Sequence, residues 1–371
     1  MKRIIASVLF VAMVATGVSA IEYGGLLDSN SSFEKIAEND FAFSQKLDAS
    51  AYMRIPFTKD GRAALSTEFA YRFQYTAEDM NHFLNLPLLK VSYRGGVGNG
   101  YMDIAAGRFT MSDNTRKIFN QTSDGLFGSF ATDVFVASMY FGYTGLVNRY
   151  FVSMVETDID AYSGFESDFY TSSLPYMVVG ANVGLNNLFL NQNMGIGFWG
   201  FVGIQNMKSN KMYGTISFDG PIVGNLFHST EGIVAGLIRN DTSEVAGLFS
   251  STLSYYLDWK GLAVHAGATY TSEKFETVTA TSGMVRSEPW TNVFLPSLSV
   301  SMLPVSNLYV AVETNFPLAA KGMEYQGAGL VGSVQYQLFN DVALGVNVSQ
   351  FFAKMEENNY TKISLRAAIS F

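Results

Sequence analysis

The last twelve residues of the chain, 360-YTKISLRAAISF-371, alternate between apolar and polar side chains. Successive side chains of a β-strand point to opposite faces, so an alternation of period two predicts a strand with one apolar and one polar face. The apolar set is Ile363, Leu365, Ala367, Ile369 and Phe371, and the polar set is Lys362, Ser364, Arg366 and Ser370. The sequence therefore predicts a final strand that closes a sheet between an apolar environment and water.

This ending resembles the terminal strand of bacterial outer-membrane β-barrels, which commonly finish in Phe behind alternating apolar residues. The resemblance implies that Phe371 is a signal for the barrel-insertion machinery. It also implies that the partners of the chain are that machinery and a lipid or lipopolysaccharide-type outer membrane. The alternative is that the segment forms an edge strand of a secreted β-sandwich.

The N-terminus carries the features of an export signal. Residues 1–20 contain the basic pair Lys2-Arg3, an apolar run and the small residues Val18-Ser19-Ala20, which predicts a secretory signal peptide cleaved after Ala20. The remaining residues, 21–371, show no linker or change of composition and are expected to form one domain. The chain has no cysteine, which excludes disulfides, thiolate metal sites and haem attachment. We expect neither a cofactor nor a metal.

The composition favours a membrane protein that crosses with strands. Hydrophobic residues make up 48% and aromatic residues 14%, with only 15% charged residues and a mean hydropathy of +0.14. Beyond the signal, polar residues or glycines interrupt every apolar run before the roughly 18 residues that a membrane helix needs. Any crossing must then be made by a closed β-barrel. The net charge of −8 argues against nucleic acid as a partner.

Alternation of period two recurs along the whole mature chain, and the connections mostly alternate between tight turns and longer polar segments. The predicted strands are 21–28, 41–57, 62–76, 87–94, 100–110, 124–131, 134–146, 175–187, 193–206, 211–218, 225–238, 244–257, 261–272, 291–302, 308–316, 327–338, 342–352 and 360–371. We therefore expect an all-β fold, a single transmembrane antiparallel barrel of about 18 strands with short periplasmic turns and longer extracellular loops. A register error near 207–210 or 240–243 would reduce the count to about 16.

A barrel of this size is too wide to be filled by its own side chains, so a water channel or a plugged lumen is expected. The side chains opposite the apolar faces would line it: Lys46, Asp48, Arg54, Arg62, Glu68, Arg72, Lys90, Arg94, Glu313, Lys362 and Arg366. The prediction is a passive diffusion channel for small polar solutes. The basic residues before position 110 would favour anions, unless they are hydrated or paired with Asp48 and Glu68.

Two polar segments are candidates for loops that fold into the barrel. The strand ending at Gly107-Arg108-Phe109, the loop 111–123 and the return at Asp124-Gly125-Leu126 loosely resemble the constriction loop of porins. The candidate residues there are Arg108, Asp113, Arg116 and Lys117, although Arg108 is out of phase with its strand. Segment 148–174 carries Glu156, Asp158 and Asp160. These carboxylates would either fold inward opposite the basic residues before position 110 or stay in a solvated outer loop. Calcium binding is a third, less favoured interpretation.

The sequence also bears on three rival functions: an enzyme, a transporter of hydrophobic compounds and an adhesin. An enzyme would need one of the three histidines, His82, His228 or His265, beside a nucleophile or an acid in a suitable place. His265 is predicted to point inward, and only His82, in a predicted loop, is placed for an external cleft. A transporter of hydrophobic compounds is favoured by strands that are apolar on both faces, such as 193–205, but residues 21–40 are too short for the expected plug. Adhesion by surface loops is compatible with any such barrel. Porins of this size often form trimers, and no feature of the sequence identifies an interface.

Overall fold

The computed structural model describes residues 21–36, 40–77, 79–155, 164–204, 209–239, 242–279, 291–355 and 358–371. The signal segment 1–20 and the candidates Glu156, Asp158 and Asp160 lie outside these ranges. Within them, no helix is long and apolar enough to cross a membrane.

Eighteen long strands account for almost all of the regular structure. They are β1 Glu22–Ile36, β2 Asp40–Pro56, β3 Ala63–Thr76, β4 Met80–Val97, β5 Gly100–Ser112, β6 Asn120–Ala131, β7 Phe135–Tyr143, β8 Tyr176–Leu185, β9 Asn193–Gly203, β10 Ser209–Val223, β11 Leu226–Arg239, β12 Thr242–Leu257, β13 Leu262–Thr271, β14 Val293–Val305, β15 Leu308–Asn315, β16 Gly327–Phe339, β17 Val342–Ala353 and β18 Tyr360–Ser370. Short two-residue strands lie at Glu166–Ser167, Tyr170–Thr171 and Leu318–Ala319, and single 3-10 turns at Arg149–Phe151 and Trp259–Gly261.

The sheet closes on itself through its first and last strands. Each strand pairs antiparallel with its neighbours in the chain, and β18 pairs with β1 over the register Leu26↔Ser370 to Ile36↔Tyr360. Gly25 and Phe371 extend this seam by exchanging backbone hydrogen bonds of 2.8 and 3.0 Å. The predicted fold class, a closed antiparallel barrel of 18 strands, is confirmed.

The two ends of the barrel differ, as predicted. At the end that holds both Ile21 and Phe371, strands are joined by short turns such as 98–99, 224–225, 306–307 and 340–341. At the other end lie the long connections 144–175 and 272–292.

The prediction that segments 29–40 and 77–86 are long outer loops is wrong, because strands run through most of both. Segment 29–40 was expected to be a loop, but β1 continues to Ile36, because its serines form cross-strand hydrogen bonds such as Ser32 to Ser44 at 2.7 Å. Segment 77–86 was also expected to be a loop, but β4 begins at Met80. Its pairing with β3 shifts register near Pro87, between the partners of Glu68 and Ala70, and this shift hid the alternation.

The outer face of the barrel is apolar. Ile363, Leu365 and Ile369 of β18 are exposed, and so are Leu126 of β6 and Val245 of β12. Since side chains alternate along every strand, the residues of opposite parity point into the barrel. That inner face is divided into a charged wall on β18 and β1–β5, a wall covered by loops on β5–β12, and a neutral wall on β13–β17.

Candidate functional site: the barrel interior

The charged wall consists largely of ion pairs between neighbouring strands. Arg72 exemplifies it: its guanidinium binds the Asp48 carboxylate through two hydrogen bonds of 2.6 and 3.1 Å. The other pairs are Lys46–Asp48 at 3.3 Å, Arg54–Glu22 at 2.7 Å, Arg94–Asp103 at 2.7 Å, Arg366–Asp28 at 2.7 Å and Lys362–Glu34. The alternative in which basic residues pair with Asp48 is therefore present in the structure.

Three of the expected pore-lining residues have other surroundings. Lys90 and Glu68 form no ion pair among the described residues, although both share the inward parity of the charged wall. Arg62 lies in the turn between β2 and β3 and pairs with Asp60 at 2.9 Å. Asp60 is exposed in this turn, and hydrogen bonds to its carboxylate lower its pKa. The larger effect comes from the Thr58 hydroxyl and the smaller from the backbone N–H of Arg62.

The loop between β5 and β6, residues 113–119, folds into the barrel. It is organised by Asp113, a buried carboxylate that accepts hydrogen bonds from the backbone N–H groups of Thr115 at 2.9 Å and Phe119 at 2.8 Å. Such bonds replace the hydration that the carboxylate loses on burial. The sharp turn passes through Arg116, which has φ = 56° and an exposed side chain.

The same loop crosses the interior to strands on the other side. The ammonium of Lys117 forms an ion pair with Glu231 of β11, and the Thr215 hydroxyl of β10 donates to the Asn114 side chain at 2.5 Å. The ring of Phe119 lies 6.0 Å from Trp199 and 5.2 Å from Phe201, measured between centroids. These contacts place the loop against the inner faces of β9–β11.

A second inward segment, residues 272–279, packs on the first. The backbone N–H groups of Val278 and Thr279 donate to the Ile118 carbonyl at 2.9 and 3.0 Å. Phe275 and Val278 are buried in the same apolar cluster as Phe119. Together the two loops cover the inward apolar residues of the strands behind them, including Trp199, Phe201, Tyr213, Ile233 and Leu237.

A buried charge cluster fixes this second segment. Glu276 pairs with Lys211 of β10 at 3.4 Å and with Arg239 of β11. Lys211 is only 1% exposed, so its charge depends on such a partner. The sequence analysis missed Lys211, Glu231, Arg239 and Glu276 as site residues. Their signal was available on the strands, because Lys211, Glu231 and Arg239 occupy polar positions of inward parity among apolar neighbours.

Arg108 lies in β5 and not in the loop. It faces Asp124 directly across the ladder, with bonds of 2.9 and 2.8 Å, and also donates to the Leu146 carbonyl at 2.6 Å. Its parity is that of the exposed Leu126, so it points away from the lumen and does not line a constriction, contrary to its place among the candidate residues.

The long connection 144–175 also meets the inner wall in its described parts. The ring of Tyr150 stacks on Phe83 of β4 at a centroid distance of 3.7 Å, and the Phe151 ring lies 4.2 Å from the Arg72 guanidinium carbon. The Asn148 side chain donates to the Leu84 carbonyl at 2.9 Å. This segment is thereby attached to β3 and β4 at the barrel mouth.

The histidines each bind one polar neighbour. His82 contacts the Tyr71 hydroxyl at 2.5 Å, His228 the Gln192 side chain at 2.6 Å, and His265 the Ser254 hydroxyl at 2.7 Å. The described residues contain no group of three or more His, Asp or Glu that could hold a metal ion.

A closed antiparallel barrel of 18 strands, with an apolar exterior and loops folded inside, is the architecture of porin-type channels. Solved structures share this fold. The crystal structure of Pseudomonas aeruginosa OpdQ matches with a TM-score of 0.67 at 10% identity, over 95% of this chain and 99% of that one. The crystal structure of P. aeruginosa OccK9 (OpdG) matches with a TM-score of 0.67 at 11% identity, over 95% of this chain and 99% of that one. The crystal structure of P. aeruginosa OccK2 (OpdF) in complex with glucuronate matches with a TM-score of 0.66 at 13% identity, over 95% of this chain and 98% of that one.

These superpositions establish a shared fold, and at such low sequence identity they establish the fold alone. Neither a protein-family model nor a curated protein sequence matches the chain.

Proposed function

We propose that the protein is an outer-membrane channel for the passive diffusion of small polar solutes. The observation that carries the proposal is the division of the interior: two inward loops fill one side, and ion-paired, partly exposed side chains line the other. Arg94 and Arg366 keep 74% and 50% of their side chains exposed although they face inward, which fits a water-filled passage beside them. A signal cleaved after Ala20 and a mature domain of 21–371 are part of this proposal.

The apolar inner faces do not favour transport of hydrophobic compounds. Trp199 and Phe201 are fully buried by the loop residues Ile118 and Phe119, so they offer no exposed apolar surface to a passing solute. A hydrophobic passage would need these side chains to be accessible from the lumen. The polar wall is therefore the better candidate for the path.

The direct test is a planar-bilayer recording of the purified, refolded protein. We expect discrete ohmic conductance steps in potassium chloride, because a wide polar lumen passes hydrated ions. Conductance no greater than that of protein-free bilayers would contradict the proposal. The Glu276→Gln variant is expected to give larger steps in the same recording.

We also propose a small preference for anions. Most basic residues of the charged wall have a carboxylate partner, and Lys90 and Glu68, which form no ion pair among the described residues, offset each other in charge, so the preference is limited. Lys46 shares Asp48 with Arg72, so that this cluster carries one excess positive charge. The match to a porin solved with glucuronate, an anion, supports this direction.

Replacing Lys90 with glutamate is expected to shift the channel towards cations. The substitution changes the lumen charge by two units at an inward position where the lysine forms no ion pair with a described carboxylate. The measurement is the zero-current potential in a potassium chloride gradient, which should move towards the potassium potential. The Lys59→Glu variant changes the charge equally in a short turn and should leave the potential near that of the wild type. Cation preference in the unmodified protein would contradict the anion proposal.

The terminal aromatic is proposed to act in assembly. Phe371 closes the seam through its backbone, while its exposed ring lies over Gly25. Replacing Phe371 with alanine should lower severalfold the yield of folded barrel in the outer membrane, while the seam hydrogen bonds remain available. The control is Phe339→Ala, which removes an exposed ring at the same end of the barrel but away from the seam. Equal yields for both variants would show that Phe371 is not the signal.

A further inference from the structure

The neutral wall differs from the rest of the interior in its chemistry. Its five strands, β13–β17, contain a single acidic or basic residue of the types Asp, Glu, Lys and Arg, which is Glu313. The inward positions carry mainly hydroxyl and amide groups. Glu313 forms no ion pair with any residue that the structure describes. Its carboxylate is therefore available to a ligand.

A cavity of about 400 Å³ opens on this wall. Glu313 lines it, with Ser299 as its direct cross-strand partner on β14 and His265 next in the same row on β13. Ser333 on β16 faces Ala311, and Gln335 faces Tyr309, in the two adjoining rows. Directly opposed residues have Cβ atoms about 5 Å apart, so these groups form a patch on four neighbouring strands, β13–β16.

The lining offers both hydrogen-bond acceptors and donors. The Glu313 carboxylate accepts, the Ser299 and Ser333 hydroxyls do both, and the Gln335 amide does both. His265 uses Nδ1 on Ser254 at 2.7 Å, which leaves Nε2 without a partner among the described residues. Tyr309 adds a ring with a hydroxyl at the edge of the cavity.

We propose that this cavity is a binding subsite for uncharged polyhydroxylated solutes of the size of a mono- or disaccharide. Several convergent polar groups in a pocket of this volume are typical of small-molecule sites. An anion would meet the Glu313 carboxylate and no described cation on this wall. A simple cation would gain little from one partly exposed carboxylate in water. A polyol can instead engage several lining groups at once.

The inference rests on the proposed channel function and deepens it by naming a solute class. Current through single channels in potassium chloride is recorded with glucose or maltose added. Brief, saturable interruptions that depend on sugar concentration are expected. Double substitution of Ser299 and Ser333 by alanine should shorten these interruptions about tenfold, since it removes two hydrogen-bonding groups. The Ser50→Ala variant, which removes an inward hydroxyl from the charged wall, should leave them unchanged.

A second variant guards against a folding defect in the first. Glu313→Gln is similar in shape and should also shorten the sugar interruptions while the open-channel current persists. Steady current without any effect of either sugar would overturn the subsite and leave the channel proposal standing. A third outcome would overturn the assignment to uncharged solutes. In it, glucosamine in its ammonium form interrupts the current, glucose does not, and Glu313→Gln abolishes the glucosamine interruptions. Absence of current would overturn the channel proposal itself.

Discussion

Replacing Glu276 with glutamine is expected to release the inward segment 272–279 and to increase the single-channel conductance. The carboxylate pairs with the buried Lys211 and with Arg239. A neutral amide would leave the buried ammonium of Lys211 without that compensation, and removal of one member of a buried pair typically costs about 3–5 kcal/mol. Because the segment covers part of the interior, its release should widen the aqueous path. Conductance and the midpoint of thermal unfolding measure the two consequences.

Glu273 provides the matched control for this change. It lies on the same segment, carries the same side chain and is exposed, with no ion pair to a described residue. Glu273→Gln should therefore leave both conductance and thermal midpoint close to the wild-type values. If Glu276→Gln behaved in the same way, the cluster with Lys211 and Arg239 would not be what holds the segment inside.

The strands could be predicted from the sequence because lipid and water select opposite side chains along them. This selection produces the alternation of β18 and fixes which face of each strand is inward. The same rule identified Arg108 as out of phase, and the structure places it on the outward face with Asp124. The rule failed in β4, because a register shift near Pro87 interrupts the alternation.

The positions of the loops could not be derived in this way. Loops have no periodicity, and the path of 113–119 depends on contacts with strands about a hundred residues further along, such as Lys117 with Glu231. The sequence identified Asp113 and Lys117 as candidates by residue type and by a loose resemblance to a constriction loop. Whether such a loop turns inward depends on apolar partners such as Trp199, whose burial only the folded barrel reveals.

Gly107 has a structural role at the base of this loop. Its φ is +118°, a conformation that side-chain-bearing residues rarely adopt. The ladder between β4 and β5 ends one residue later, at Leu89↔Arg108, and beyond it β5 continues with β6 alone towards the inward loop. A Cβ atom at Gly107 would lie 2.1 Å from the carbonyl oxygen of Leu89. Only a glycine therefore fits where β5 separates from β4.

Replacing Gly107 with alanine is accordingly expected to destabilise the barrel strongly. Backbone strain costs about 1–3 kcal/mol, and the clash with a fixed carbonyl adds about 1–3 kcal/mol of overpacking. Gly128 on the adjacent β6 is the matched control, because a Cβ atom there meets nothing within 4 Å. Unfolding in urea, followed by the mobility difference between folded and unfolded barrel on gels, should separate the two variants. Equal midpoints for Gly107→Ala and Gly128→Ala would mean that β4 and β5 can part without a glycine, and that the inward course of 113–119 is set by its contacts with β9–β11 alone.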